Sequence, residues 1–363
     1  MTSTTDDDLH PVHVYARALR AELPRDVFDP VPARLGWLLL APLIAAAEVL
    51  LCGHDLPPWA AIPLGLAAGQ ALASLAFLGH ELLHGSVVRA PWLRSLLGAL
   101  CFLPFGISAA IWHRGHNLGH HGHTQHPVDD PDAFDTFASY RDRGRLRALY
   151  ALPRFAQRLF VFLAFAMWFS FYAMRVLPRY RADMPRRALA LTYATWVIPL
   201  LAAMALGLSL GPRALLFGFV IPIAAGNFVL MAHIGTNHLL NPVLPVNDPL
   251  ATSLSVLVPR WYAWLTLGFC HHTEHHVLPA VSPRHARAIK ALLKRRWPDR
   301  YHELPMFRAL RLIWQTPRLY GEDGVSLVSP DGERSGTLGH GLSTGERASA
   351  PGGAPSPAEP LHG

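Results

Sequence analysis

The chain is short of charge. Only 16% of its 363 residues are Asp, Glu, Lys or Arg, against about 25% in a typical soluble protein. Lysine is nearly missing: Lys290 and Lys294 are the only two, and arginine supplies the rest of the positive side of a net charge of +7. The arginines flank apolar segments, which points to membrane topology and lipid headgroups rather than to nucleic acid. Cysteine is equally scarce. Cys52, Cys101 and Cys270 form no CxxC pair, which excludes a disulfide framework, a zinc ribbon and an iron–sulfur site. The acidic start, with Asp6, Asp7 and Asp8, lacks the basic-then-apolar order of a cleavable signal peptide. The first span is therefore expected to serve as the insertion signal. No internal repeat is present.

Apolar runs fill the space that charge leaves. Hydrophobic residues make up 51% of the chain and the mean hydropathy is +0.22. Residues 35–52 are interrupted only by Glu48, and residues 59–79 only by Gln70 and Ser74; 188–210 and 214–234 are two more such runs. Each approaches the ~20 residues that cross a bilayer. Two further runs, 92–111 and 155–174, have arginines at both ends. The first is expected to bend back at Pro104 and Gly106 as a re-entrant hairpin, and the second to lie in the interface. The arm over residues 1–34 carries Arg17, Arg20, Arg25 and Arg34, whereas the loop 53–58 has no Lys or Arg. This places the arm on the cytoplasmic side. The expected fold is an all-α integral membrane protein: a cytosolic arm (1–34), then a membrane domain with a cytosolic cap (35–328). About four transmembrane helices and re-entrant or interfacial helices are expected in that domain, with both termini cytoplasmic in a bacterial-type inner membrane. Residues 282–297 read as a basic amphipathic helix on the cap. From Ser329 the chain is rich in Gly, Ser and Pro and reads as a disordered tail, 329–363.

The 21 histidines are not scattered. They gather beside the ends of the spans as His80-x3-His84, His116-x3-His120-His121 and His272-x2-His275-His276. Residues four apart share a helical face, and imidazole suits a transition metal. So many are too many for one mononuclear zinc. The second cluster can put two rings on one face and a third toward a neighbouring ion. Of its other members, His113, His123 and His126 read as outer or surface groups, and Cys270 is crowded out as a ligand. His80-Glu81-x2-His84 also matches HExxH, in which Glu81 would be the general base of a zinc protease, but that leaves the other clusters unexplained. Glu274 could accept from a ligand imidazole. Asp129, Asp130, Asp132 and Asp135 read as a solvated acidic loop before outer-sphere carboxylates. Neutral imidazoles around two ions suggest O2 chemistry on an apolar chain held in the bilayer.

The three ordered boxes, with Trp112 before the second and Val277-Leu278-Pro279 after the third, resemble those of the membrane fatty acid desaturases over residues 35–320. The resemblance implies a four-span helical fold, two iron ions and O2 as co-substrate. It also implies a lipid acyl substrate and two electrons from a separate carrier, ferredoxin or cytochrome b5-like. The implied metal ligands are His80, His84, His116, His120, His121, His238, His272, His275 and His276. His233 is held in reserve for His238 and His271 for His272, with Asn237 and Glu274 as outer partners. No His-Pro-Gly-Gly haem motif is present, so no internal cytochrome b5 domain is expected. Alkane hydroxylases and carotenoid ketolases have similar boxes and form the competing expectation.

Overall fold

The computed structural model describes residues 9–344. In chain order the helices are α1 (Val12–Glu22), α2 (Leu40–Gly53), α3 (Pro58–His84), α4 (Pro91–Phe102) and α5 (Ala109–Trp112), which runs on as a π-helix over His113–His120. They continue with α6 (Phe137–Asp142), α7 (Gly144–Tyr150), α8 (Arg154–Phe165), α9 (Tyr172–Tyr180), α10 (Arg186–Leu215) and α11 (Ile221–His238). The cap adds α12 (Pro249–Thr252), α13 (Arg260–Leu265), α14 (His272–Val277), α15 (Ala286–Arg296) and α16 (Met306–Gln315). Short strands β1 (Ser255–Leu257) and β2 (Glu303–Pro305) pair in parallel, Ser255 opposite Glu303. Strands β3 (Leu319–Tyr320), β4 (Ser326–Val328) and β5 (Arg334–Gly336) form an antiparallel sheet.

Three helical stretches are long and apolar enough to cross a bilayer: Pro32–Gly53, Pro58–His84 and Arg186–His238. The last has 53 residues, far more than the ~20 one crossing requires. It is two spans. Gly211 breaks it with φ 85° and ψ 174°, a conformation that a Cβ would strain. Leu206 then reaches Gly218, and Trp196 and Gly226 both reach the Phe105–Gly106 corner. Such contacts require the chain to double back at Gly211-Pro212, as the sequence suggests. Leu39, Leu43, Val49, Leu200 and Leu208 are exposed on these helices, the inverse of a soluble bundle and the natural state of a lipid-facing surface. The protein is thus an all-α integral membrane protein with four spans.

The two doubtful runs behave differently from spans. Pro91–Phe105 and Ala109–His120 meet at a 98° bend, with Gly106 at φ 72°. Residues 155–174 divide into α8 and the start of α9, each shorter than a bilayer crossing. Helix α15 arises where a basic amphipathic helix is expected, with Ile289 and Leu293 buried.

The N-terminal arm is docked on the cap: Tyr15 and Leu19 of α1 are fully buried against Val277, Leu278, Ile289 and Leu293. The Tyr15 hydroxyl donates to Asp248 at 2.9 Å, and Arg300 donates to the same carboxylate at 2.6 Å. At the other end the folded part does not stop at residue 328. β5 pairs with β4, the Leu338 N–H donates to the Leu240 carbonyl at 2.8 Å, and Leu338 and Leu342 are buried. Two leucines and a strand edge outweigh a Gly- and Ser-rich composition there. The rest of the expected tail, 345–363, lies outside the described residues.

Candidate metal centre

Helix ends deliver the histidines. His80 and His84 stand one turn apart on the last turns of α3. The second box lies on the π-helix, where the His121 N–H donates to the His116 carbonyl at 3.0 Å, five residues back. The wider turn brings His116 and His121 to one side, their Nε2 atoms 3.2 Å apart, and turns His120 away. His238 ends α11, and α14 is little more than the third box itself. Its His272 and His276 share a face, with Nε2 atoms 3.0 Å apart, while His275 points elsewhere.

The result is two all-histidine groups, with Asp132 close enough to His116 and His120 to make a third, smaller one. His80, His84, His116, His121 and His275 have ligand atoms within 4.8 Å of one another, and so do His120, His238, His272 and His276. All nine histidines implied by the sequence fall in one or the other. His233 and His271 do not. His233 is fully buried and stacks on Tyr262, ring centroids 5.8 Å apart. His271 lies beside Glu274, Nδ1 3.9 Å from the carboxylate. The His123 Nδ1–H donates to the Gly119 carbonyl at 3.2 Å, and the His126 ring accepts from the Asp129 N–H at 3.0 Å. Cys270 is free and outside both groups.

Outer hydrogen bonds fix the tautomers of three rings. The His120 Nδ1–H donates to the Asp130 carboxylate at 3.0 Å, and the His238 Nδ1–H donates to the Thr252 carbonyl at 3.2 Å. The Thr124 hydroxyl spends its proton on the His120 carbonyl at 2.9 Å, so its oxygen accepts the His276 Nδ1–H at 3.2 Å. Each of these rings therefore presents a bare Nε2 to the group. The His238 and His272 Nε2 atoms are 2.7 Å apart, and His272 has one N–H at most to share between two neighbours. Lone pairs facing one another this closely suit a cation between them. Burial first, and the surrounding imidazoles second, hold His272 and His276 well below the ordinary imidazole pKa; burial and His120 bring His275 to about 3. These three rings are neutral and available as ligands; at His120, burial is outweighed by the Asp130 and Asp132 carboxylates, which raise the pKa. The donor set fits transition-metal ions.

Asp130 corrects the expectation of a solvated loop. It is buried and also accepts from the Gln125 N–H at 2.8 Å and the Asp132 N–H at 2.8 Å. A turn with Gln125 at φ 58° carries the carboxylate back to the ring ten residues before it, and nothing in the spacing of the four aspartates singles it out. Glu274 is corrected in the opposite sense. Its two oxygens accept from the Ser255 and Tyr301 hydroxyls, each at 2.6 Å, so it braces α14 and orients no clustered imidazole. The Asn237 carboxamide makes no hydrogen bond among the described residues; its main-chain carbonyl accepts from Leu254 and Asn241. Glu81 is paired with Arg34, whose Nε donates to it at 3.0 Å, and also accepts from Ser282. A base tied up in this way cannot serve a HExxH protease, and that reading falls.

An apolar cavity with about 760 Å³ of space, its mouth included, runs to these rings. Phe77, Phe102, Trp112, Phe169, Leu230 and Met231 line it, and it touches His80 and His116 of one group and His120, His238 and His272 of the other.

A family model described as fatty acid desaturase matches residues 57–308, a stretch that includes all nine rings. The chain belongs to the fatty acid desaturase family. An sn-1 oleoyl-lipid 12-desaturase of Picosynechococcus is 23% identical over 88% of the chain and 93% of its own length. Enzymes of the same name from Anabaena variabilis (23% identical, 73% of this chain and 77% of theirs) and Synechocystis (21%, 76% and 80%) are also similar. This desaturase is an oxidoreductase of lipid metabolism. Its paired histidine groups are compatible with a metal centre.

Proposed function

We infer that this desaturase introduces a double bond into an acyl chain of a membrane glycerolipid, using O2 and a centre of two iron ions. His80, His84, His116, His121 and His275 would hold one ion, and His120, His238, His272 and His276 the other. Iron bound there supplies the O2 reduction that makes an unactivated C–H bond breakable. The balance is one CH2–CH2 pair, O2, two electrons and two protons in, and one alkene and two waters out. The electrons come from a separate carrier of the ferredoxin or cytochrome b5 class.

One observation carries this reading: the apolar cavity meets rings from both groups. A methylene chain lying in it is shielded from water by Phe102, Trp112 and Phe169 and kept against the centre. Trp112 stacks on His116 at 4.2 Å and so helps hold both the ring and the channel wall. Asp130 and the Thr252 carbonyl keep His120 and His238 turned toward the interior. The names of the relatives favour an acyl group esterified in a lipid over an acyl-CoA. We place the histidine face and both termini on the cytoplasmic side, a reading that arginine placement supports.

Expression in a host lacking the activity, with iron and reductant available, followed by lipid mass spectrometry, tests the reading. A loss of two mass units from an acyl chain is the expected result. A gain of sixteen would move the protein to the hydroxylases that share such boxes, and unchanged lipids would overturn both.

A further inference from the structure

A second cavity lies beside α8 and shares no lining residue with the channel. Arg154, Arg158 and Arg318 line it, together with Tyr150, Gln157 and Glu333. Arg154, Gln157, Arg158 and Val161 follow at helical spacing, so one face of α8 is turned to the cavity. On the same helix Phe155, Phe160 and Leu163 are exposed at 66%, 51% and 60%. The helix is amphipathic in the manner of one lying at a membrane surface.

The charges in this cavity do not balance. Glu333 is paired with Arg154 at 3.1 Å, and Asp331 takes the same arginine at 2.7 Å. Among the described residues Arg158 donates only to the Gln315 carbonyl, at 3.3 Å. The two terminal nitrogens of Arg318 are buried and have no hydrogen-bond partner among the described residues. Burial lowers the Arg318 pKa to about 10, so the guanidinium is still a cation at neutral pH. A desolvated guanidinium without an acceptor is costly. Its planar fork matches two oxygens of a phosphate or carboxylate, and phosphate is the anion abundant at a membrane surface.

We propose that Arg318 and Arg158 form a binding site for one phosphate group, supplied by the headgroup of an anionic phospholipid whose chains lie along the exposed apolar face of α8. The site is unrelated to the histidine centre in its chemistry, and its test does not depend on activity. The protein purified in detergent is delipidated and titrated with phosphatidylglycerol or with inorganic phosphate. Bound lipid is counted by native mass spectrometry and unfolding is followed by thermal shift. One retained phosphatidylglycerol per chain and a raised midpoint are expected. Arg318→Gln and, independently, Arg158→Gln should each weaken binding by about tenfold, as loss of one charge-assisted contact implies. An equal response to inorganic phosphate, lost in the same variants, would keep the phosphate site and make free phosphate its source. The same lipid affinity in both variants as in the parent would overturn the proposal. So would binding that appears only when residues 345–363 are removed, since the cavity would then belong to the chain's own acidic residues.

Discussion

The two histidine groups are held by different means. In the four-member group three rings lean on fixed acceptors: Asp130 for His120, the Thr252 carbonyl for His238 and the Thr124 hydroxyl for His276. In the five-member group no ring has a hydrogen bond to anything but another histidine among the described residues. Those rings are placed by packing, with Trp112 stacked on His116 and Phe269 against the edge of His80. The polar support is one step further out, where Arg34 clamps Glu81 of α3 and donates to the Leu267 carbonyl at 2.6 Å. One group is oriented ring by ring and the other by the rigidity of the elements that carry it.

Neighbouring residues of the third box give the largest and sharpest contrast. His275→Ala removes a ring from the five-member group and His276→Ala one from the four-member group. Each should lower activity by more than about 100-fold, beyond what loss of an outer partner costs. Metal analysis should show iron falling from two ions per chain to one in each case. Full iron content in either variant would show that the residue is not a ligand.

Asp130→Asn comes next. The amide can no longer accept the His120 proton with a full charge, and iron affinity should fall about 10–100-fold. The loss should be confined to one ion, because Asp130 touches only the four-member group. Glu274→Gln is the matched comparison three residues from His271. Its oxygens serve Ser255 and Tyr301, so it should cost about 1–3 kcal/mol of stability and leave two irons in place. If the two variants lose iron alike, the distinction between their roles is wrong.

What the sequence made legible follows from this contrast. Box spacing expresses helical geometry, and helical geometry is local, so the eight rings of the three boxes and the re-entrant turn at Gly106 could be read from it; His238 lies in no box and came only from the family resemblance. The fold-back at Gly211 was equally plain, since two apolar runs met at a Gly-Pro pair. Outer partners are not local. Asp130 reaches His120 only because the chain reverses near Gln125, and Glu274 is claimed by hydroxyls 19 and 27 residues away. Arg34 was counted as a topology signal, yet it holds the end of α3. Composition also misjudged residues 329–344, where two buried leucines decide what many small residues do not.

Arg34 tests the indirect support of the five-member group. The pair is largely buried, with side-chain exposures of 17% for Arg34 and 3% for Glu81. Arg34→Leu strands the Glu81 carboxylate and should cost about 3 kcal/mol, the lower end for a broken buried pair. Arg34→Leu combined with Glu81→Leu should recover much of that. Thermal unfolding of the three variants measures the coupling. Costs that simply add would show that the pair does not act as a clamp.

The smallest effect is expected at the far end of the chain. The Leu338 N–H holds the Leu240 carbonyl, two residues beyond His238. A chain ending at residue 328 loses β5 and the burial of Leu338 and Leu342, worth about 2 kcal/mol or more. Against a chain ending at 344 it should unfold at lower temperature and lose iron from the four-member group first. The five-member group, whose elements the Leu338–Leu240 bond does not reach, should stay loaded at temperatures where the other has emptied. Simultaneous loss of both ions on warming would mean that the two groups stand or fall as one unit, whatever holds their separate rings.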